Sequence, residues 1–306
     1  MQRLVTLSVL VLPLLWAAQP ATAQDPPATD IFLAPVIADA DTVELGPLVR
    51  VTDRDGYDNQ PHFSPDGKTV YFTSIGEDGQ ADIRAYDVAS GKSRAVTETP
   101  ESEYSPTPVP GADALSVIRV EADGTQRLWR FPLDGGAPEP VLTEMKPVGY
   151  HAWLGDELVL FVLGEPHELR RASASEPATQ GSILAKDVGR SLHAIPGERA
   201  FSFVHKTKDG WWISRLDADD GTIKPLIEAF EGREDLTWSA DGMVWMADGT
   251  ELHRWCSACG EGWWPVADLG PRGLGTVSRL AFSPDGKTLA LVAERSAAPA
   301  PRPEGP

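Results

Sequence analysis

The sequence predicts an all-β fold, a six-bladed β-propeller whose sixth blade is closed by N-terminal strands pairing with C-terminal strands. Three observations predict it. First, Phe63-Ser64-Pro65-Asp66-Gly67-Lys68-Thr69 recurs unchanged as Phe282-Ser283-Pro284-Asp285-Gly286-Lys287-Thr288. Second, weaker copies at Val109 to Asp113, Trp153 to Asp156, Ile195 to Glu198 and Trp238 to Gly242 place anchors at 63, 109, 153, 195, 238 and 282, spaced 42 to 46 residues apart. Third, short β-rich runs separated by Gly/Pro/Asp turns replace any sustained helical period.

Each repeat has the same internal order. An apolar or aromatic residue ends the first strand, and a Pro/Gly/Asp turn of hairpin chemistry follows. The second strand is apolar or alternating, at 70–73, 115–120, 158–163, 200–205, 243–247 and 289–292. A third strand follows at 82–88, 127–131, 211–216 and 251–255, then a second turn and a fourth strand such as 94–97 or 140–143. Four antiparallel strands per unit of this length make a propeller blade. Pro140, Pro225 and Pro265 fall in fourth strands, the outer edge, where a missing N–H donor costs no ladder bond.

The last repeat holds only two strands before the Ala/Pro-rich stretch 296–306. The missing pair is at the other end of the chain. Residues 30–34 resemble the third strand at 82–85, and 48–52 resemble the fourth at 94–97. Pairing the two ends closes the ring and covers a sheet edge that would otherwise be open. Residues 24–295 are therefore expected to form one propeller domain, with 296–306 expected to be a disordered tail.

Residues 1–23 read as a secretory signal. Arg3 precedes an apolar run over 4–18, and Ala21-Thr22-Ala23 gives the small-x-small cleavage pattern. The run is short for a bilayer span, and no later segment approaches 18 apolar residues, so no transmembrane anchor is expected after cleavage. A periplasmic or secreted monomer is the expectation. The formal charge is −18, and losing Arg3 makes the mature chain more acidic still. Such a chain repels phosphate backbones, so nucleic acid is not an expected partner.

The FSPDGK phrase at Phe63 to Lys68 and Phe282 to Lys287 resembles the WD-like repeat of TolB-like periplasmic β-propellers. Strong and weak copies together cover nearly all of the mature chain. The resemblance implies the fold and says little of function, because the same phrase occurs in propellers attached to hydrolases and in some polysaccharide lyases.

Motifs that would carry chemistry are incomplete. Gly189-Arg190-Ser191-Leu192-His193 departs from the G-x-S-x-G elbow of a serine hydrolase. Neither H-E-x-x-H nor a pair of C-x-x-C motifs occurs, and no cofactor or metal is expected. Asp217 to Gly221 places its Gly one position early for a calcium loop and reads as a turn between the third and fourth strands. Asp53, Asp55 and Asp58 read as a solvated acidic loop. Cys256-Ser257-Ala258-Cys259 is expected to form a local disulfide in an exported protein. Of the pairs Trp211-Trp212 and Trp263-Trp264, one member each should pack between blades.

The candidate site comes from aligning the blades just before each anchor, where the innermost strand enters the central funnel. These positions read Asn59-Gln60, Tyr104-Ser105, Tyr150-His151, Arg190-Ser191 with His193, Glu234-Asp235 and Ser278-Arg279. Next to the anchors, Ala152, Ala194 and Ala281 are small, as crowding around an axis requires. The ligand-binding set is thus Asn59, Gln60, Tyr104, Tyr150, His151, Arg190, His193, Asp235 and Arg279. Two readings of this set differ in kind. The first is a non-enzymatic binding or scaffold module of the cell envelope, docking an envelope protein segment or a small-molecule ligand. The alternative is a propeller enzyme, a lyase or hydrolase on glycan or small ester, with acid–base groups drawn from His151, His193, Asp235 and Arg279.

Overall fold

The computed structural model describes residues 27–38, 42–260 and 262–295. The expected signal at 1–23 and the expected tail at 296–306 lie outside the described residues. Among the described residues, no helix is long and apolar enough to cross a membrane.

Six antiparallel sheets form the ring. In blade 1 the order from the axis outward is Asp58–Phe63, Thr69–Ile75, Ala81–Asp87 and Lys92–Ala95. The inner strands of blades 2 to 6 are Ser102–Pro108, Val148–Leu154, Val188–Ala194, Leu236–Trp238 and Leu274–Phe282. Blade 6 closes the ring. Thr29–Ala38 lies antiparallel to Thr288–Arg295 over seven residue pairs, from Thr29 opposite Glu294 to Pro35 opposite Thr288. Val49–Arg50 pairs on the outer side with Leu33 and Phe32, and Val43–Leu45 pairs with the far end of the same strand. Pro140, Pro225 and Pro265 all sit in outermost strands.

Each pair of neighbouring blades buries its own apolar cluster. Alternation along the blade 6 strands shows why. Ile31, Leu33, Ala290 and Val292 face blade 1, against Phe63, Val70 and Phe72. Their neighbours Ala34, Leu289, Leu291 and Ala293 face blade 5, against Trp245 and Leu252. A strand buried on both faces reads as a continuous apolar run, which Leu289 to Ala293 is. Clusters of the same kind fill the other four interfaces.

The repeated phrase is a self-bonded turn. Asp66 Oδ1 accepts from Ser64 Oγ at 2.6 Å and from Lys68 N at 3.1 Å, while Ser64 Oγ accepts from Thr69 N at 2.9 Å. Ser283, Asp285, Lys287 and Thr288 repeat these bonds at 2.7, 3.1 and 2.9 Å. Gly67 and Gly286 have φ of +71° and +70°, a conformation that favours glycine. The Ser, Asp and Gly of S-P-D-G-K-T are thus accounted for by turn geometry.

Candidate functional site

The inner strands do not run straight to the axis. Register shifts interrupt their pairing between Asn59 and His62, Tyr104 and Thr107, Val148 and Tyr150, Val188 and Leu192, and Val277 and Arg279. Two of these irregularities hold non-glycine residues at positive φ, Gln60 at 58° and Ser105 at 54°. Bulges re-aim side chains, and strained backbone of this kind clusters at functional sites. Here they turn Gln60, Ser105, Tyr150, Arg190 and Arg279 into the upper mouth of the channel, where the inner strands begin.

That mouth is a cavity of about 90 Å3, lined among others by Gln60, Ser105, Tyr150, His151, Arg190, His193, Asp235 and Arg279. Below it a wider cavity of about 340 Å3 opens toward the anchor turns, walled by Phe63, Pro108, Trp153, Pro196, Trp238 and Phe282. Both cavities share the ring of His62, His151 and His193. Seven of the nine expected ligand-binding residues therefore converge, and two do not.

Asn59 and Tyr104 are the two. Asn59 is buried, with Oδ1 accepting from Gln60 N at 2.7 Å and Nδ2 reaching Thr29 Oγ1 at 3.5 Å. It fastens the bulge to blade 6. Tyr104 packs against the apolar cluster between blades 2 and 3. The bulge after it gives the channel position to Ser105, which is the physical reason the one-position alignment misplaced this side chain.

Charge is concentrated on one side of the mouth. Asp235 accepts from Arg190 at 2.7 and 3.3 Å, and Arg279 Nη1 lies 3.0 Å from the same carboxylate. Arg279 also donates to Tyr150 Oη at 3.0 Å, with its guanidinium 4.9 Å from the tyrosine ring centre. Burial alone would lower both arginines, but Asp235 holds each above its ordinary value. Glu234 is engaged by Lys206 Nζ at 2.9 Å and by Arg190 N at 3.2 Å. Gln60 is fixed as an amide: its Oε1 accepts from Thr73 Oγ1 and Ser105 N, both at 2.8 Å, leaving Nε2 to face Tyr150 Oη at 3.4 Å.

The imidazoles are neutral at physiological pH. Burial lowers His151 to about 3 and enclosure by the channel walls lowers His193 to about 4; His62, whose side chain is open to the channel, is lowered to about 4 by the surrounding protein and adds to the shift of the other two. His151 Nε2 lies 2.6 Å from Ser116 Oγ, which also accepts from Trp153 Nε1 at 2.8 Å and donates to the Thr107 carbonyl at 3.1 Å. In that arrangement Nε2 carries the proton, and the buried Nδ1, which has no partner, is a bare acceptor. His193 Nε2 lies 3.1 Å from Ser191 Oγ, which in turn exchanges bonds with Leu236 N and O of the next blade. Ser191 is thus tied into a blade-to-blade staple rather than presented as a nucleophile.

The alignment overlooked two residues. His62 stands where Ala152, Ala194 and Ala281 stand in other blades, so the signal was a large polar residue in a column of small ones. Tyr57 lies in the field of Arg279, Tyr150, Arg190 and Asp235, and burial pushes its phenol up to about 12. Nothing in the spacing marks it. Elsewhere, Asp217 to Gly221 forms a turn closed on Asp217 Oδ1. Asp58 is held by Arg54 at 2.8 Å. No group of three or more metal-ligating side chains is assembled among the described residues. Cys256 is bonded to Cys259 in the loop between outer strands of blade 5, with Cα atoms 5.3 Å apart. Trp263 packs between blades 4 and 5, whereas Trp264 is exposed.

No family model matches the chain. An uncharacterized protein of Agrobacterium fabrum is 28% identical over 104 residues, 32% of this chain and 35% of that protein, so the match spans about a third of the relative's length. A protein of Agrobacterium tumefaciens assigned as a TolB superposes with a TM-score of 0.70 at 15% identity, over 89% of this chain and 100% of that one. A gluconolactonase of Xanthomonas campestris superposes with a TM-score of 0.60 at 14% identity, over 90% of this chain and 98% of that one. Likeness at such identities establishes architecture, and the chain has the TolB-like six-bladed β-propeller fold.

Proposed function

We propose that this protein is an exported, non-enzymatic binding module of the cell envelope that recognises a small ligand or a protein segment at the upper mouth of its channel. One observation carries the reading. Hydrogen-bonding and charged side chains from blades 1, 3, 4, 5 and 6 converge on one small cavity, positioned by bulges in the inner strands. A ring fold uses such a concave mouth for recognition. The TolB-like architecture and the signal-type leader support the envelope setting.

Wild-type protein and an Arg190→Gln/Tyr150→Phe variant, each purified from envelope extract under native conditions, test the reading by native mass spectrometry. Bound mass or a co-purifying segment present on wild type and missing from the variant is expected. Identical spectra would remove the mouth as the recognition site.

A second reading, acid–base catalysis in the channel, draws on the neutral His193 and the bare Nδ1 of His151, together with the fold shared with a gluconolactonase. Turnover on a lactone and glycan panel that disappears in His193→Ala would favour it over binding alone.

A further inference from the structure

We propose that the upper mouth takes a small monocarboxylate, held by Arg190 and Arg279 with Tyr150 and Ser105 donating to its oxygens. This rests on the reading of the mouth as a recognition site, and adds the chemical class of its occupant.

The charge balance points to an anion. Two guanidiniums share the carboxylate of Asp235, the carboxylate nearest to both. Glu234, the next acid, is divided between Lys206 at 2.9 Å and Arg190, whose main chain donates to it and whose Nε lies 3.6 Å away. Three cations thus face two anions, within a chain whose formal charge is −18. Arg279 is only 14% exposed, and a charge so far from water calls for a partner. A monoanion completes the balance, whereas a dianion would overshoot it.

The hydrogen-bond balance points the same way. Tyr150 Oη accepts from Arg279 and from Gln60, which uses both of its lone pairs and leaves its own proton without an acceptor. Ser105 Oγ is buried and has no partner. Gln60 cannot turn its oxygen toward Tyr150, because Thr73 and the Ser105 main chain hold it. Around the two arginines the free valences are thus the Tyr150 proton and the Ser105 hydroxyl, both able to donate to the lone-pair sites of a carboxylate, while the bare Nδ1 of His151 lies with the imidazoles shared with the lower cavity. The cavity of about 90 Å3 is bordered by Pro61, Leu192 and Leu280, which suits a short apolar or aromatic substituent on the acid.

Calorimetry at pH 7 in low-chloride buffer, with benzoate as probe and benzamide as its uncharged analogue, tests the assignment. Benzoate is expected to bind and benzamide to bind at least ~10-fold more weakly, in line with the strength of charge-assisted hydrogen bonds. Arg190→Gln, at a half-exposed side chain that should leave the fold intact, is expected to weaken benzoate about 10-fold or more. Asp235→Asn, which removes the competing internal carboxylate, is expected to tighten benzoate. A merely structural role for Asp235 would weaken it instead. Equal binding of acid and amide overturns the proposal, as does weaker binding in a folded Asp235→Asn. Tighter binding of sulfate than of benzoate overturns the monoanion class. Binding of an acetylated dipeptide acid, with neither its amide nor benzoate bound, overturns the small-molecule class. If native mass spectrometry shows a mouth-dependent ligand while benzoate fails, the carboxylate assignment falls and the recognition site stands. If Arg190→Gln/Tyr150→Phe changes neither, both fall.

Discussion

Asp235→Ala removes the one carboxylate that separates Arg190 from Arg279. Asp235 is 15% exposed and makes contacts of 2.7 and 3.3 Å to the first arginine and 3.0 Å to the second. Truncation leaves Arg190 its weaker pair with Glu234 at 3.6 Å but strips Arg279 of its carboxylate, and Arg279 is held against Tyr150 and cannot swing into bulk water without losing that bond. Breaking a buried pair in this way costs about 3–5 kcal/mol. For a domain of this size that is a fall in Tm of roughly 6–10 °C, at about 2 °C per kcal/mol. Guanidinium denaturation monitored by tryptophan fluorescence, with calorimetry for Tm, measures it. Asp235→Asn should fall between wild type and Asp235→Ala, since the amide retains one acceptor oxygen. Asp235→Ala/Arg279→Met should lose less than the sum of the single changes, because removing one cation relieves the repulsion. A stability for Asp235→Ala within about 1 kcal/mol of wild type, or strict additivity in the double variant, would refute the claim that this carboxylate holds the mouth together.

Acid should loosen the channel. The folded-state values of His151 and His193 lie below the ordinary 6.5, at about 3 and about 4. Their contribution is therefore fully present above pH 6.5 and lost as pH falls toward 4; urea midpoints at pH 7, 5.5 and 4.5 should decline, and His151→Asn/His193→Asn should flatten the decline. Glu103 has the opposite sign. Burial raises its carboxyl, and one of its oxygens has no partner. Its favourable protonated state is lost as pH rises through the folded value, so Glu103→Gln should be more stable than wild type at pH 8 and indistinguishable at pH 4, as read by Tm. Cys256→Ser/Cys259→Ser should lower stability by about 2 kcal/mol or less, because a four-residue loop constrains the unfolded chain little. Without reductant, wild type should resist alkylation by iodoacetamide.

The repeat made the architecture legible in the sequence. Turns such as Ser64-Pro65-Asp66-Gly67 are bonded within themselves, so their chemistry is local and shows in the letters. Closure was legible because the strand of Ile31 and Leu33 had to bury both faces, as did its partner of Ala290 and Val292. The site was legible to within one residue. A bulge shifts side chains by one position, and neither Gln60 nor Ser105 is a glycine that would have announced positive φ. Tyr104 was misplaced for that reason. Tyr57 was missed because its position in the field of Arg279 and Tyr150 comes from tertiary packing, outside the aligned columns. His62 stood beside those columns, at a position that is alanine in three of the other five blades.

All of this requires a closed ring, since Tyr150 of blade 3 meets Arg279 of blade 6 and Gln60 of blade 1 only across the channel. The most direct test is cysteine cross-linking in a Cys256→Ser/Cys259→Ser background. Leu33 lies opposite Ala290, whereas Val292 lies opposite Ile31, two residues along. Leu33→Cys/Ala290→Cys should form a disulfide in the folded protein under mild oxidant. Leu33→Cys/Val292→Cys, a diagonal pair about 7–8 Å apart, should not. A folded protein in which the opposed pair fails to cross-link, or the diagonal pair cross-links faster, would contradict the shared sixth blade and the channel that depends on it.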